Sequence, residues 1–131
     1  MKIYVRRKIL FDEILSFMRN PQLLQNTNLS IEDVKKAYLE YEEEGETDLE
    51  IIEQIPYGTF LKLMQPKPVE LIEIIKNEQL YISEIARKLN RSISNVYYDL
   101  KILNKHKIIS FNKSGKYSIP ILLLKEIRIN I

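Results

Sequence analysis

The spacing of apolar residues predicts a chain made mainly of short amphipathic helices. Asn20-Pro21 would end the first helix, because a residue that precedes proline avoids the α conformation. Ser30 followed by Asp33 resembles a capping box and would begin the second. Helical periodicity is found in residues 8–19, in the stretch from Ser30 to the glutamates near residue 44, in residues 68–77 and around residues 82–89, where Ser83 is the predicted N-cap.

Residues 47–64 carry weaker signals for helix. Thr47-Asp48-Leu49-Glu50 has the form of a capping box, which predicts a short helix that ends near Ile55. Pro56-Tyr57-Gly58 is a break, and Thr59–Met64 fits a short helical turn. Pro66 and Pro68 fit the start of the next helix, where a missing backbone N–H costs little.

Strands are predicted near both ends of the chain. Residues 108–111 and 116–119 flank a turn in which Gly115 can supply a positive φ, and this pattern predicts a β-hairpin. Residues 127–131 alternate strictly between apolar and polar, which predicts a strand with one buried face. Residues 1–5 fit either a short strand or a frayed end.

The helix predicted for residues 92–106 has two different faces. At about 100° per residue, Ile93, Val96, Leu100 and Leu103 share one side, with Tyr97 at its border. Asparagine can bind adenine, arginine can bind guanine or phosphate, and serine and tyrosine can bind phosphate. The polar side therefore suits either DNA recognition or simple exposure to water. It presents Arg91, Ser92 and Ser94 near the helix start, and then Asn95, Tyr98 and Lys101.

The order of elements in residues 81–119 is typical of a winged helix-turn-helix, which places its second helix in the DNA major groove. Lys113 and Lys116 flank the hairpin tip, where they would contact phosphates. Asp99 is acidic on this face, so we expect it to pair with a neighbouring cation such as Arg91. Ile102 is apolar there, and we expect it to pack on another segment or a second protomer.

Charge is distributed unevenly along the 131 residues. Residues 1–65 contain 8 Lys and Arg against 12 Asp and Glu, whereas residues 66–131 contain 12 against 6. The resulting net charges of −4 and +6 indicate a nucleic-acid surface in the second half. The alternative is that the lysine-rich helices are merely solvated.

Composition excludes several kinds of site chemistry. The absence of cysteine excludes disulfides and thiolate metal sites, and a single histidine, His106, cannot build a histidine metal site. The glutamates of residues 40–46 suit solvent better than a metal ion. No paired-carboxylate spacing, phosphate loop or activated nucleophile is recognisable. No apolar run approaches the ~18 residues of a membrane span. We therefore expect a cytoplasmic protein that is not an enzyme and has no cofactor.

Residues 57–131 resemble the winged helix-turn-helix transcriptional regulators of the MarR/ArsR-like group, and especially small archaeal DNA-binding regulators. The pattern "ELARxLGR" is matched by residues 84–91, EIARKLNR, and "SNVxRDLKxL" by residues 94–103, SNVYYDLKIL. Leu63-Met64-Gln65-Pro66 matches the entry to the domain, and Pro120 with the terminal strand matches its end. Asn90 and Lys107 replace glycines of the pattern, and Tyr98 replaces a basic residue.

The resemblance implies a homodimer that binds inverted-repeat DNA. Independently, residues 1–56 offer more amphipathic helix than a winged helix needs to close its own core. The fold prediction is therefore mainly α with a small β-sheet (α+β), with an N-terminal helical extension over 1–56 and a winged helix-turn-helix over 57–131. The predicted function is a sequence-specific regulator that binds double-stranded DNA with helix 92–106 and wing 108–119. The alternative is a winged-helix module for protein–protein interaction in a transcription or replication assembly.

Overall fold

The computed structural model describes residues 1–131 and confirms the α+β class. None of its helices combines the length and the apolar character needed to cross a membrane. The helices are α1 (Phe11–Arg19), α2 (Ile31–Glu44), α3 (Tyr57–Leu63), α4 (Pro66–Asn77), α5 (Ile82–Leu89) and α6 (Ile93–Lys105), with a 3-10 turn at Pro21–Leu24. The strands are β1 (Lys2–Lys8), β2 (Glu50–Ile55), β3 (Ile109–Ser114), β4 (Tyr117–Leu122) and β5 (Leu124–Asn130).

The chain divides into two compact units, residues 1–57 with 124–131, and residues 58–123. The sequence pattern instead predicts a helical segment over 1–56 and a second domain that runs to residue 131. The structure differs because β5 pairs with β1 and so completes the sheet of the first unit. Residues 1–56 also contribute two strands to that sheet and are not purely helical.

The first unit is an antiparallel three-stranded sheet in the order β2-β1-β5 with two helices. Ile3 is opposite both Ile55 and Ile129, and this register puts Ile3, Val5 and Arg7 on one face of β1. Helices α1 and α2 pack against each other. They share a core that consists of Ile9, Ile14, Phe17, Leu24, Leu29, Val34, Ala37 and Ile51.

The helix predicted for residues 47–55 is wrong, since residues 50–55 form the edge strand β2. Ile51, Ile52 and Ile55 are β-branched and favour a pleated, half-buried surface. Pairing with β1 provides hydrogen-bond partners for the backbone groups on one side of the strand. Along β2, the Asn28 carboxamide donates to the Glu50 carbonyl at 3.3 Å and accepts from the Ile52 N–H at 2.7 Å. These long-range partners outweigh the local capping signal.

The predicted C-terminal strand is present, but its apolar face is only partly covered. Ile127 is half-buried, whereas Ile129 and Ile131 are exposed. Strand β5 lies at the edge of its sheet, so only one side of its backbone has a partner strand. Strict alternation therefore predicts the strand correctly and its burial incorrectly.

The first unit contains a buried ion pair. Arg7 is 1% exposed and Glu13 is 6% exposed. The guanidinium Nη1 and Nη2 donate to the two carboxylate oxygens of Glu13 at 2.8 and 2.9 Å, and Nε donates to Glu53 at 3.0 Å. Burial lowers the pKa of Arg7, but the hydrogen bonds and charges of both glutamates outweigh it and raise this pKa above its ordinary value. Arg7 therefore remains charged in the interior.

The second unit consists of four helices and the β3-β4 hairpin. Its buried apolar side chains come from every helix and from the base of the hairpin. They are Leu63, Leu71, Ile75, Ile85, Ala86, Val96, Leu100, Leu103, Ile108, Ile109 and Leu123. Helix α6 packs against α4, α5 and β3, so one side of this helix forms the centre of the unit.

The helix starts test the predicted caps. Ser30 accepts from the Asp33 N–H at 3.2 Å while Asp33 accepts from the Ser30 N–H at 2.9 Å, which confirms the capping box. The hydrogen bonds from the Ser30 backbone and then its side chain lower the pKa of Asp33 below its ordinary value. The Ser83 cap is wrong, because α5 already begins at Ile82 and the Tyr81 N–H donates to Glu84 at 2.9 Å.

Candidate nucleic-acid interface

The turn between α5 and α6 depends on a left-handed asparagine. Asn90 has φ 53° and ψ 46°. Its N–H donates to the Arg87 carbonyl at 3.1 Å, and the Arg91 N–H donates to the Ala86 carbonyl at 2.9 Å, which is the Schellman arrangement of a helix end. The prediction that Asn90 can replace glycine in this turn is confirmed. The turn ends α5 sharply and allows the N-cap of α6, Ser92, to follow two residues later.

We expect Asn90→Ala to lower the free energy of unfolding by about 1 kcal/mol, because alanine tolerates the left-handed conformation less well than asparagine does. Asn90→Gly should retain wild-type stability, since glycine adopts positive φ readily. Urea denaturation of both variants measures the difference. Equal stability of the alanine and glycine variants would contradict this account of the turn.

Helix α6 has well-defined ends. The Ser92 hydroxyl accepts from the Asn95 backbone N–H at 3.1 Å, which confirms Ser92 as the N-cap. At the other end, Lys107 has φ 59° and a second Schellman arrangement closes the helix, with the Ile108 N–H donating to the Leu103 carbonyl at 3.0 Å. The Asn104 carboxamide then donates to the Ile109 carbonyl at 3.1 Å and ties β3 to the helix.

The inner face of α6 matches its prediction at three of four positions. Val96, Leu100 and Leu103 are buried. Ile93 is also predicted to point inward, but it is 56% exposed. It occupies the first position of α6, where side chains tilt toward the helix start. The predicted border residue Tyr97 is also exposed.

The outer face of α6 brings together most of the predicted DNA-binding side chains. Ser92, Ser94, Asn95, Tyr98 and Lys101 are all exposed. Tyr98 is 66% exposed and lies opposite the buried stripe. Ile102, one turn further on, is 37% exposed, so this chain covers its side chain only in part.

Arg91 and Asp99 form the expected ion pair. The Arg91 Nη2 lies 2.6 Å from the Asp99 Oδ2, and both side chains are about one-fifth exposed. This pair links the residue before the α6 N-cap to the second turn of the helix. Arg91 is therefore held in place, with part of its guanidinium already engaged.

The hairpin is longer than predicted and turns later. Ser114 pairs with Tyr117, so the turn is Gly115-Lys116 and not residues 112–115. Gly115 has φ 65° and occupies the first central position, where two-residue hairpin turns often require glycine. Lys113 and Lys116 are exposed at this tip, as the sequence predicts.

Aromatic contacts place the hairpin beside α6. The Tyr97 and Phe111 rings lie 6.3 Å apart, and the Lys101 Nζ lies 5.6 Å from the Tyr97 ring centroid. Tyr81, at the start of α5, lies 5.2 Å from Tyr117 of β4. The sequence pattern does not predict these aromatic pairs. The only signal for them in the sequence is the number of tyrosines in and around α6.

The charge of this surface is strongly positive. Residues 91–123 contain six Lys and Arg, and Asp99 is their one acidic residue. Burial, and then the charges of Lys105 and Lys62, lower the pKa of His106 below its ordinary value, so His106 adds no charge at neutral pH.

The structure gathers no group of three histidine or carboxylate side chains that could hold a metal ion.

Comparison with known families covers this same part of the chain. The family model described as HVO_A0114 matches residues 63–129, which is 67 of the 131 residues. The chain belongs to the HVO_A0114 family. No curated protein matches the sequence. The HVO_A0114 match includes α4, α5, α6, the hairpin and most of β5, and therefore contains every residue of the candidate interface.

Proposed function

We propose that this member of the HVO_A0114 family is a sequence-specific regulator of transcription that binds double-stranded DNA through a winged helix-turn-helix. Helix α6 would enter the major groove, and the β3-β4 hairpin would act as the wing. The observation that carries the proposal is the exposed outer face of α6 with Asn95 and Tyr98 near its start. A regulator of this kind acts where the chromosomal DNA lies, and we propose the cytoplasm as its location.

The N-terminal end of α6 supports a role in base contact. In helix-turn-helix proteins the N-terminal residues of the second helix reach the base edges. The Asn95 backbone N–H is used by the Ser92 cap, while its carboxamide is exposed and available for an adenine edge. The Arg91–Asp99 pair would present the remaining guanidinium N–H groups of Arg91 to a phosphate.

The hairpin supports a second contact with the DNA backbone. Lys113 and Lys116 are exposed on either side of Gly115, and Tyr97 with Phe111 hold the hairpin base near α6. Lysines at such a tip neutralise phosphates and add affinity that does not depend on sequence. The wing would therefore strengthen binding without selecting the site.

We expect Lys113→Ala to weaken binding to all duplexes by a similar factor and to reduce the slope of log affinity against log salt by about 1. Fluorescence anisotropy with a labelled duplex at four or five salt concentrations gives this slope. Lys76→Ala is the matched control, because Lys76 is an exposed lysine of the same unit outside the interface. Equal slopes for the two variants would remove Lys113 from the interface.

We further propose that the protein binds DNA as a homodimer on an inverted repeat, as the resemblance to MarR/ArsR-like regulators implies. Two-fold pairing would place two α6 helices about 34 Å apart, one turn of DNA. Ile129 on edge strand β5 and Ile131 just beyond the strand are exposed and offer apolar surface that a second protomer can cover. Light scattering of the free protein and of its DNA complex measures the stoichiometry.

The second candidate function is a protein-interaction module. Helix α6 exposes four large apolar or aromatic side chains, which are Ile93, Tyr97, Tyr98 and Ile102. Protein interfaces are enriched in aromatic residues and depleted of lysine at their core. Absence of duplex binding even at low salt would favour this candidate over the DNA-binding one.

A further inference from the structure

The outer face of α6 carries apolar side chains and an amide but no arginine. Residues 93–105 contain no arginine at all. Ser94, Tyr98 and Ile102 follow one another at intervals of four residues, so they form one row along the helix. Asn95 lies beside the start of this row. Tyr98 is 66% exposed and Ile102 is 37% exposed, which leaves both available to a ligand.

Three cationic side chains lie near this row, but each lies beside it and not within it. Arg91 is paired with Asp99 at 2.6 Å, and four-fifths of its side chain is buried. The Lys101 ammonium lies over the Tyr97 ring, on the flank of α6 that faces the hairpin. Lys105 lies in the last turn of α6, beyond the last residue of the row and farthest from the helix start that reaches base edges. These positions suit phosphates, and the row itself contains no cation that could bind a guanine edge.

The chemistry of base edges then indicates what the row can recognise. Guanine is most often read by arginine or lysine, adenine by asparagine or glutamine, and thymine through its 5-methyl group by apolar side chains. On this basis, and resting on the proposed DNA-binding function, we infer that α6 selects A·T-rich half-sites. Asn95 reads adenine, and Tyr98 with Ile102 reads thymine methyl groups.

This inference can be tested with DNA that lacks only the methyl group. The preferred site is first selected from a library of random duplexes, and each thymine of the site is then replaced in turn by uracil. We expect A·T pairs to dominate the half-site, and at least one uracil replacement to weaken binding about fourfold, the effect of one buried methyl group. Anisotropy with the matched duplexes measures the change.

Variants of the protein assign the methyl contact to a side chain. Tyr98→Ala and Ile102→Ala should bind the thymine and uracil duplexes equally at the position that each side chain contacts, because the partner of the methyl group is gone. Tyr98→Phe is the control, since it keeps the ring and loses the hydroxyl, and it should retain the preference for thymine. Tyr98 is mostly exposed and Ile102 is partly exposed, and a melting curve of each variant checks that the fold survives the change.

The outcomes separate this inference from the function on which it rests. A selected half-site made mainly of G·C pairs, or one insensitive to every uracil replacement, would overturn the methyl readout and leave the regulator proposal standing. Selection that enriches no sequence at all would overturn both.

Discussion

Arg7→Ala is expected to lower the free energy of unfolding by about 3–5 kcal/mol, which is the usual cost of breaking a buried ion pair from one side. The substitution would leave the Glu13 carboxylate, 6% exposed, without the guanidinium that donates to both of its oxygens. Glu13 also accepts a hydrogen bond from the Leu10 N–H at 3.0 Å at the start of α1. A displaced Glu13 side chain would therefore also disturb the start of that helix. Chemical denaturation followed by circular dichroism measures the change.

Arg6→Ala is the matched control for this prediction. Arg6 is the neighbouring residue of β1, points to the opposite face, and pairs with Glu50 at 2.6 Å and Glu126 at 3.9 Å. All three side chains are partly exposed, and such surface pairs contribute only about 0–1 kcal/mol. The account of the first unit would be wrong if the two alanine variants lost the same stability.

Asn95→Ala is expected to weaken binding to the preferred duplex by about 1–3 kcal/mol, or roughly 5- to 150-fold. The reason is the loss of the two hydrogen bonds that a carboxamide makes to an adenine edge. Only the Asn95 backbone N–H takes part in the Ser92 cap, so the alanine variant keeps the cap and the helix. Anisotropy titration with the selected duplex, paired with a melting curve of the variant, measures both effects.

A second duplex tests whether Asn95 acts on one base. When the adenine that it reads is replaced by another base pair, wild-type affinity should fall while the alanine variant binds both duplexes alike. Asn95→Asp should behave like the alanine variant or bind less, because a carboxylate accepts hydrogen bonds but cannot donate them to the N7 edge. A uniform loss on every duplex would mean that Asn95 contacts the DNA backbone and reads no base.

Local features of the fold could be predicted because they depend on neighbouring residues. The Ser30–Asp33 capping box, the left-handed Asn90 and the Ser92 cap are each decided within a few positions of the chain. The order of α5, α6 and the hairpin follows from the same kind of local pattern. The candidate site was predictable to the same extent, since four of its residues lie on one helix whose apolar stripe fixes which side is free.

Features that depend on distant partners could not be predicted. Strand β2 looks like a helix in the sequence, and only its pairing with β1 decides otherwise. Arg6 and Arg7 of β1 cannot be distinguished by residue type. The side chains of a strand alternate between its two faces, which puts Arg7 in the interior and Arg6 at the surface. The affiliation of residues 124–131 with the first unit likewise depends on a partner strand more than a hundred residues away.

The central claim, that α6 and the hairpin bind duplex DNA with sequence preference, is tested most directly by one comparison of affinities. Wild-type protein is titrated into the selected duplex and into a scrambled duplex of the same composition, at two salt concentrations. The account predicts a preference of about 10³-fold or more for the selected duplex near physiological salt. Equal affinities that fall steeply with salt, or no binding to either duplex, would contradict it.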